Sequence, residues 1–350
     1  MVDESLLREP ADRCVRLVAL SLLADAQKAG DRLTSVAREL RDGNAESDDA
    51  LHDFRVVVRR LRSWIRAFEP WLRDAVSRKQ RRRLSRIADA TAATRDATVH
   101  LEWLREERPA LSARQRVGHA WLRERLETQR NDGADAALAA ASDFDAIAAK
   151  LTRRLNVYCS VVLSDERPAR FGAILAERLL EESESLRGHL ATIHHVTDVD
   201  ESHRARIAAK RLRYLTEPVA KLASEGGAII EMLSTLQNAL GDLHDVHVFA
   251  EEVVAATEDA AASQARRLSE VVLGEENGED RVWRARSRDP GPGLLRLAHR
   301  LHERGAHAYA SIERDWLNDA GASFFDRVRA LADEITRRSS SRNAARRSNH

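Results

Sequence analysis

The sequence contains little cysteine and no long apolar run, and both shortages limit the kind of protein it can form. Two cysteines, Cys14 and Cys159, are too few for a disulfide framework. No run approaches the ~20 apolar residues of a membrane-spanning helix. The charged N-terminus lacks the apolar centre of a signal peptide. We therefore expect a soluble, cytoplasmic protein that does not contact a membrane.

Proline and glycine are also scarce, with 7 and 15 among 350 residues, and alternating runs of valine, isoleucine and threonine are rare. Strand-rich architectures are therefore disfavoured. Long stretches are instead rich in alanine, leucine, arginine and glutamate, which favour helices. The sequence predicts an all-α protein that is long enough to bury one large core or two medium ones.

The formal net charge is only +1, yet the cations are concentrated in a few segments. Residues 52–66 hold five arginines against one aspartate, and residues 78–95 hold six arginines and one lysine against one aspartate. Acidic residues collect elsewhere, for example in residues 275–280. This segregation indicates a cationic cavity in a neutral protein rather than a uniformly basic surface.

The most informative pattern is a basic helix that the chain contains twice. Residues 52–64 read HDFRVVVRRLRSW, and residues 203–215 read HRARIAAKRLRYL. A second pair of segments, 84–99 and 233–248, repeats in the same order. The offsets are 151 and 149 residues, so the copies differ by a small change in length. Two segments that repeat in the same order predict a duplicated domain rather than a solenoid.

Helical geometry makes each copy a one-sided cationic stripe. At about 100° per residue, positions i, i+3, i+7 and i+10 share one side of a helix. The first stripe is His52, Arg55, Arg59, Arg62 and Arg66, and the second is His203, Arg206, Lys210 and Arg213. The first stripe is roughly 21 Å long at ~1.5 Å per residue. A small metabolite does not need that length, so the stripes predict an extended anionic ligand.

These motifs resemble those of the CHAD family, the conserved histidine α-helical domains. The pattern is HxxRVxxRRLR, a motif ending at Arg95-Asp96, then HxxRxxxKRLRY and LQxxLGDLHD, the last ending at His244-Asp245. The resemblance covers about residues 10–320. It implies two helical bundles related by a pseudo-two-fold axis around a basic central channel. It also implies binding of inorganic polyphosphate and localisation to polyphosphate granules.

By the same resemblance, both stripes and the second motif line the channel. The implied polyphosphate-binding residues are His52, Arg55, Arg59, Arg60, Arg62, Arg66, Arg95, His203, Arg206, Lys210, Arg211, Arg213 and His244. The halves differ at two positions: Arg95 matches His244, and Glu217 stands where the first half has Arg66. We expect the first half to bind the anion more strongly.

The helix pattern and the repeat divide the chain into four parts. They are a first bundle half (1–133), a connecting helical segment (134–167), a second half (168–320), and a short helix with a disordered basic tail (321–350). Asn131-Asp132-Gly133 is predicted to end a helix, and further breaks are predicted at 241–243 and at 259. The charged segment 274–293 is predicted to be a loop, either a lid or an insertion.

A metal-dependent phosphohydrolase is one alternative function. His52-Asp53 and His244-Asp245 resemble the dipeptides of HD-type enzymes, and His299 and His302 form a weak HxxH pattern. A two-metal site is disfavoured because the repeat places an arginine opposite Asp53 and opposite His244. The sequence also has no Gly-rich nucleotide loop and no nucleophile–base pair. We therefore predict no catalysis, no metal and no cofactor.

Nucleic-acid binding is the other alternative, because the C-terminal tail is basic. Trp64, Trp71 and Trp103 lie at core spacings, so we interpret them as packing residues rather than base-stacking platforms. The sequence therefore predicts a non-enzymatic binder of inorganic polyphosphate with no specific nucleic-acid partner. Proteins of the polyphosphate granule are further candidate partners.

Overall fold

The computed structural model describes residues 4–37, 40, 44–157, 169–273 and 279–340, and its helices confirm the predicted all-α class. No β-strand occurs within these ranges, where Pro10 and Arg170 form an isolated bridge. The principal helices are α1 (Ala11–Ser35), α2 (Ala45–Ala67), α3 (Arg78–Ala90), α4 (Ala92–Glu107), α5 (Gln115–Asn156), α6 (Phe171–Leu190), α7 (Val199–Thr216), α8 (Gly226–Leu273), α9 (Glu279–Ser287), α10 (Gly291–Trp316) and α11 (Ala322–Ser340). Shorter helical segments are Glu4–Arg8, Glu69–Leu72, Arg108–Ala110 and Ala220–Leu222. No helix in this part of the chain combines the length and apolar character that crossing a bilayer requires.

Some features of the sequence lie outside the described residues. They include Cys159, residues 274–278 of the predicted loop, and residues 341–350 of the predicted tail. The end of the predicted connecting segment, 158–167, lies outside them too. The four-part division of the chain and the two-fold relation of its halves stay predictions.

Local capping explains where the two helices with the most clustered cations begin. The side chain of Asn44 accepts a hydrogen bond from the Glu46 N–H at 3.0 Å, and α2 starts there. A capping box starts α3, because the Gln80 N–H donates to Ser77 Oγ while the Ser77 N–H donates to Gln80 Oε1. These bonds satisfy N–H groups that the first turn of a helix leaves without partners.

The apolar side of α2 fixes the direction of its cationic side. Phe54, Val58, Leu61 and Trp64 are fully buried in the larger hydrophobic core, as their spacing predicts. Trp64 Nε1 also donates to the carbonyl oxygen of Val15 on α1 at 3.0 Å. Burial of side chains of this size contributes roughly 2 kcal/mol each. Rotating α2 to bury its arginines would therefore be strongly unfavourable.

The repeated segments lie on helices with corresponding places in the chain. The first basic copy is in α2, which packs on α1, and the second is in α7, which packs on α6. The other repeated segment spans α3 and α4 in its first copy and lies within α8 in its second. Helices α2 and α7 also contact each other. The two stripes therefore belong to neighbouring helices.

The predicted helix end at Asn131-Asp132-Gly133 is wrong, because α5 continues through it to Asn156. Gly133 serves a close approach instead: a Cβ there would lie 2.4 Å from Thr94 Oγ1 on α4. Glycine here lets two helices pack closely rather than ending one. The predicted boundary between residues 133 and 134 therefore falls inside a single helix.

The predicted breaks at 241–243 and at 259 are also wrong, because α8 is continuous from Gly226 to Leu273. A Cβ at Gly241 would meet nothing within 4 Å, so this glycine has no packing or turn requirement. A glycine costs ~1 kcal/mol in a helix interior, and burial of Leu240 and Leu243 on either side offsets it. Part of the predicted 274–293 loop is likewise helical, as α9.

Helices α5 and α10 cross in backbone contact at a pair of glycines. A Cβ on Gly118 would lie 2.3 Å from the carbonyl oxygen of Pro290, and one on Gly293 would lie 2.1 Å from that of Gln115. Since α5 begins in the predicted first half and α10 lies in the second, this crossing joins the two. Neither glycine can carry a side chain unless the helices separate.

We expect Gly118→Ala to lower the free energy of unfolding by about 2–3 kcal/mol, because its Cβ must push two backbones apart. Gly241→Ala is the matched control, and we expect it to raise stability by about 0.5–1 kcal/mol because its site is open. Urea-induced unfolding followed by circular dichroism measures both. Equal stability of the two variants would contradict the close crossing of α5 and α10.

Candidate anion-binding site

Three helices, α2, α3 and α7, enclose an open cleft of about 780 Å³. We call it the basic cleft. Its cationic lining is Arg59, Arg62 and Arg66 from α2, Arg78, Arg81 and Arg82 from α3, and Lys210 and Arg211 from α7. Its acidic lining within the described residues is Glu69, which forms an ion pair with Arg81. The cleft therefore holds a large excess of positive charge.

The cations on α2 point into the cleft because they lie opposite its apolar side. Arg59, Arg62 and Arg66 follow the i, i+3, i+7 spacing of one helix side, and Arg62 donates to Ser85 Oγ on α3 at 3.0 Å. In the part of the chain that the structure describes, Arg59, Arg62, Arg66, Lys210 and Arg211 have no carboxylate within ion-pair distance. The Nε of Arg59 is buried without a hydrogen-bond partner among the described atoms.

Mutual repulsion is strongest around Lys210. Burial, followed by repulsion from Arg206 and Arg59, lowers the pKa of Lys210 to about 6. Burial and the neighbouring Arg59 also lower the pKa of Arg55 to about 10. Charged groups removed from water normally have partners of opposite charge. A cluster of partly buried cations without enough such partners is suited to an anion that is supplied from outside.

Two half-buried carboxylates, Asp96 on α4 and Asp245 on α8, partly offset this repulsion. Burial raises the pKa of Asp96, and Arg55 and Arg206 oppose that rise. Burial likewise raises the pKa of Asp245 against the effect of Arg206. Neither carboxylate lines the cleft, and both interact electrostatically with Arg206. Their position fits an electrostatic role in holding the arginines and Lys210.

The predicted histidines lie beside some of the same cations and do not line the cleft. His203 Nδ1 and His244 Nδ1 are 3.5 Å apart. Burial, then repulsion from Arg206 and His203, lowers the pKa of His244 to about 3. Desolvation and repulsion from Arg95 lower the pKa of His52. These imidazoles are therefore neutral near pH 7 and can act as hydrogen-bond donors to an anion.

Arg60 and Arg213 occupy a different place from the other predicted residues. Arg60 Nε lies 2.9 Å from Glu217 Oε2, and Arg213 Nε lies 3.0 Å from Glu217 Oε1. Arg213 also donates to Gln237 Oε1 at 3.2 Å, and the Arg60 guanidinium lies 5.8 Å from the Tyr214 ring centroid. Because Arg60 is on α2, this ion-pair bridge joins α2 to α7. Both side chains therefore connect helices and do not line the cleft.

The structure brings Arg59, Arg62, Arg66, Lys210 and Arg211 into the cleft and places the other predicted residues behind or beside it. Arg55, Arg95 and Arg206 interact electrostatically with Asp96, and Arg206 also interacts with Asp245. His52 lies near Arg95, and His203 and His244 lie near Arg206. The site prediction missed Arg78, Arg81, Arg82 and Ser85, which also line the cleft. The basic run 78–86 was their signal in the sequence. Because cations occur on every side of that helix, the sequence alone does not predict which of them face the cleft.

Within the described residues, no group of three or more His, Cys, Asp or Glu side chains is placed to hold a metal ion. His299 of the HxxH pattern instead contacts Glu303, with Nε2 3.3 Å from Oε1. His244 of one predicted His-Asp dipeptide contacts His203, as described above.

The chain belongs to the CHAD domain family, whose model matches residues 24–254. It is similar to the crystal structure of the CHAD domain from the plant Ricinus communis, with 20% identity, a TM-score of 0.52, and coverage of 87% of this chain and 95% of that chain. It is also similar to PptA from Streptomyces chartreusis, with 16% identity, a TM-score of 0.42, and coverage of 86% and 100%. No curated protein matches the sequence significantly. The family match and the Ricinus structure confirm the family and the helical fold that the motifs predict.

We expect Glu217→Gln to lower the free energy of unfolding by about 1–2 kcal/mol, because it leaves Arg60 and Arg213 close together without their shared carboxylate. The matched control is Glu225→Gln, which breaks the more exposed pair of Glu225 with Arg327. That change should cost less than about 0.5 kcal/mol. Urea-induced unfolding measures both, and equal losses would show that the Glu217 bridge does not hold the helices together.

Proposed function

We propose that this protein binds inorganic polyphosphate in the basic cleft and does not hydrolyse it. The observation that carries the proposal is the lining of the cleft: seven arginines and Lys210 from three helices, against one glutamate that is already paired. Guanidinium groups form bidentate hydrogen bonds with phosphate oxygens and stay charged when partly buried. A chain of linked phosphates can contact several of these groups at once.

The charge distribution favours polyphosphate over nucleic acid as the ligand. Single-stranded nucleic acids are usually bound with aromatic side chains on which bases stack. Trp64 is buried in the core and Trp103 is almost as deeply buried, so neither offers a stacking surface. Within the described residues, the aromatic residue that lines the cleft is Tyr214, and the Arg60 guanidinium lies over its ring. The net charge of +1 gives little general attraction for a duplex. The cleft instead offers closely spaced cations, which suit a polymer that consists of phosphate alone.

Polyphosphate binding also suggests where the protein acts. A binder of this kind would collect on polyphosphate granules in the cytoplasm, and other granule proteins would be its neighbours there. Storage, granule organisation and phosphate signalling are all compatible with such a role. The CHAD family membership supports this proposal, because the family's description includes polyphosphate binding.

The test is a titration with long-chain polyphosphate at two salt concentrations, with tripolyphosphate and duplex DNA as competitors. We expect tight binding that weakens steeply with salt, because binding a polyanion releases condensed counterions. Arg59→Ala combined with Lys210→Ala should weaken binding at least about tenfold, since each charged hydrogen bond contributes roughly 1.5–3 kcal/mol. Phosphate release, followed for hours with and without divalent metal, should stay at background.

The control variant is Arg284→Ala with Arg286→Ala, which removes two basic side chains from α9. This helix contacts Gln264 of α8. Gln237, which contacts Arg213, lies about 40 Å earlier along α8. Unchanged affinity in the cleft variant would contradict the cleft assignment. Preference for duplex DNA would favour a nucleic-acid binder, and metal-dependent phosphate release would favour a phosphohydrolase.

Affinity should also depend on pH through Lys210. With a pKa of about 6 in the free protein, Lys210 is largely neutral above that pH. A bound polyanion favours its charged form, so binding takes up a proton, and affinity should rise as pH falls from 8 to 6, by up to about tenfold per pH unit. Internal phosphates of a long chain stay ionised over this range, so the ligand does not cancel the effect.

Lys210→Arg provides the check on this pH dependence, because a guanidinium stays charged throughout the range. Isothermal titration calorimetry in buffers of different ionisation enthalpy measures the proton uptake directly. The wild type should take up protons on binding at pH 7, and Lys210→Arg should take up fewer. Equal uptake by the two proteins would show that Lys210 is not the linked group.

A further inference from the structure

A second group of cations lies on α3 beyond the basic cleft. The exposed side chains of Arg78, Lys79, Arg82 and Arg86 border a depression of about 660 Å³, together with Ser85 and Asp89. Arg78, Arg82 and Ser85 line the basic cleft as well. The two cavities therefore share one wall, and a flexible ligand that fills the cleft can pass directly into the depression.

Three of these cations form a row on one side of α3. Arg78, Arg82 and Arg86 follow the i, i+4, i+8 spacing, which places them about 12 Å apart from first to last at ~1.5 Å per residue. We call them the α3 row. Other arginines of the helix have partners: Arg81 pairs with Glu69, and Arg83 Nη2 lies 2.8 Å from Asp143 Oδ1. Among the described residues, no carboxylate lies within ion-pair distance of the α3 row.

The cations of the α3 row destabilise the helix that carries them. Like charges four residues apart repel each other, and cations in the first turn oppose the helix dipole. The first turn of α3 contains no acidic residue that would offset this. The side chains of Ser77 and Gln80 already accept hydrogen bonds from N–H groups at the start of the helix. The side chains of the row, rather than the helix terminus, are therefore the groups available to an anion.

The second half of the chain has no equivalent row. At the offset of 149 residues, Arg78 corresponds to Gly227, Arg82 to Glu231 and Arg86 to Thr235. The α3 row therefore extends the cationic surface on one side only. A ligand that continued past the cleft would leave it along α3.

We propose that the α3 row is a second polyphosphate subsite, which binds the part of a long chain that extends out of the basic cleft. This inference rests on the proposed function of the cleft. Tripolyphosphate occupies the cleft alone, whereas a long chain passes Arg78 and Arg82, which the two cavities share, and continues to Lys79 and Arg86 in the depression. The row then gives the protein its preference for long chains, and the bound chain follows a one-sided path.

The test is the double variant Lys79→Gln and Arg86→Gln, titrated with long-chain polyphosphate and with tripolyphosphate, because both residues border the depression and neither lines the basic cleft. Affinity for the long chain should fall at least about tenfold, as expected when charged hydrogen bonds are lost. The slope of log affinity against log salt should decrease by roughly 1–2, for two lost phosphate contacts. Affinity for tripolyphosphate should not change. The thermal midpoint should not fall, because the substitutions remove repulsion.

The charge-matched control is Arg284→Gln with Arg286→Gln on α9, which should leave both affinities unchanged. Unchanged long-chain affinity in the α3 variant would overturn the subsite. Equal losses for both ligands would also overturn it, since Lys79 and Arg86 would then act on the ligand in the cleft itself. If the proposed function itself were wrong, the result would differ, because the wild type would bind neither long-chain polyphosphate nor tripolyphosphate.

Discussion

Electrostatic repulsion between partly buried cations is the constraint on which the rest of this structure depends. Arg59, Arg206 and Lys210 approach one another between α2 and α7, and burial together with their repulsion brings the pKa of Lys210 to about 6. Asp96 and Asp245 offset part of this repulsion. The remaining excess charge faces the open cleft, where an anion can neutralise it. Without a ligand, other contacts must hold the two helices together against this force.

Three kinds of contact oppose the repulsion. The apolar side of α2, with Phe54 and Trp64 fully buried, fixes that helix to the core. Glu217 pairs with one arginine from α2 and one from α7, so it joins the helices where their charges would separate them. The glycine crossing of α5 and α10 connects the two predicted halves by backbone contact. The cations can therefore stay close together before any ligand arrives, and the ligand does not have to assemble the site.

The sequence predicts those parts of the structure that depend on local periodicity. The spacing of Leu61 and Trp64 identifies the buried side of α2, so the direction of Arg59 and Arg62 follows from it. Features that depend on tertiary contacts could not be predicted in this way. Gly133 looks like a helix end in sequence, but it lies inside α5 because Thr94 packs against it. The repeat predicts that Arg60 and Arg213 bind the ligand. Both instead form ion pairs with Glu217, and these contacts join helices.

The two predicted halves differ in sequence at the cleft, so a ligand bound as we propose would be held asymmetrically. Of the eight cations in the basic cleft, three come from α2, three from α3 and two from α7. The positions in α8 that correspond to the α3 row carry one glutamate and no cation. Acidic residues elsewhere reduce the net charge to +1, which limits attraction for polyanions outside the site. Under the proposed function, selectivity depends on how many phosphates reach the concentrated cations at once, and a flexible polymer of phosphate alone can place the most there.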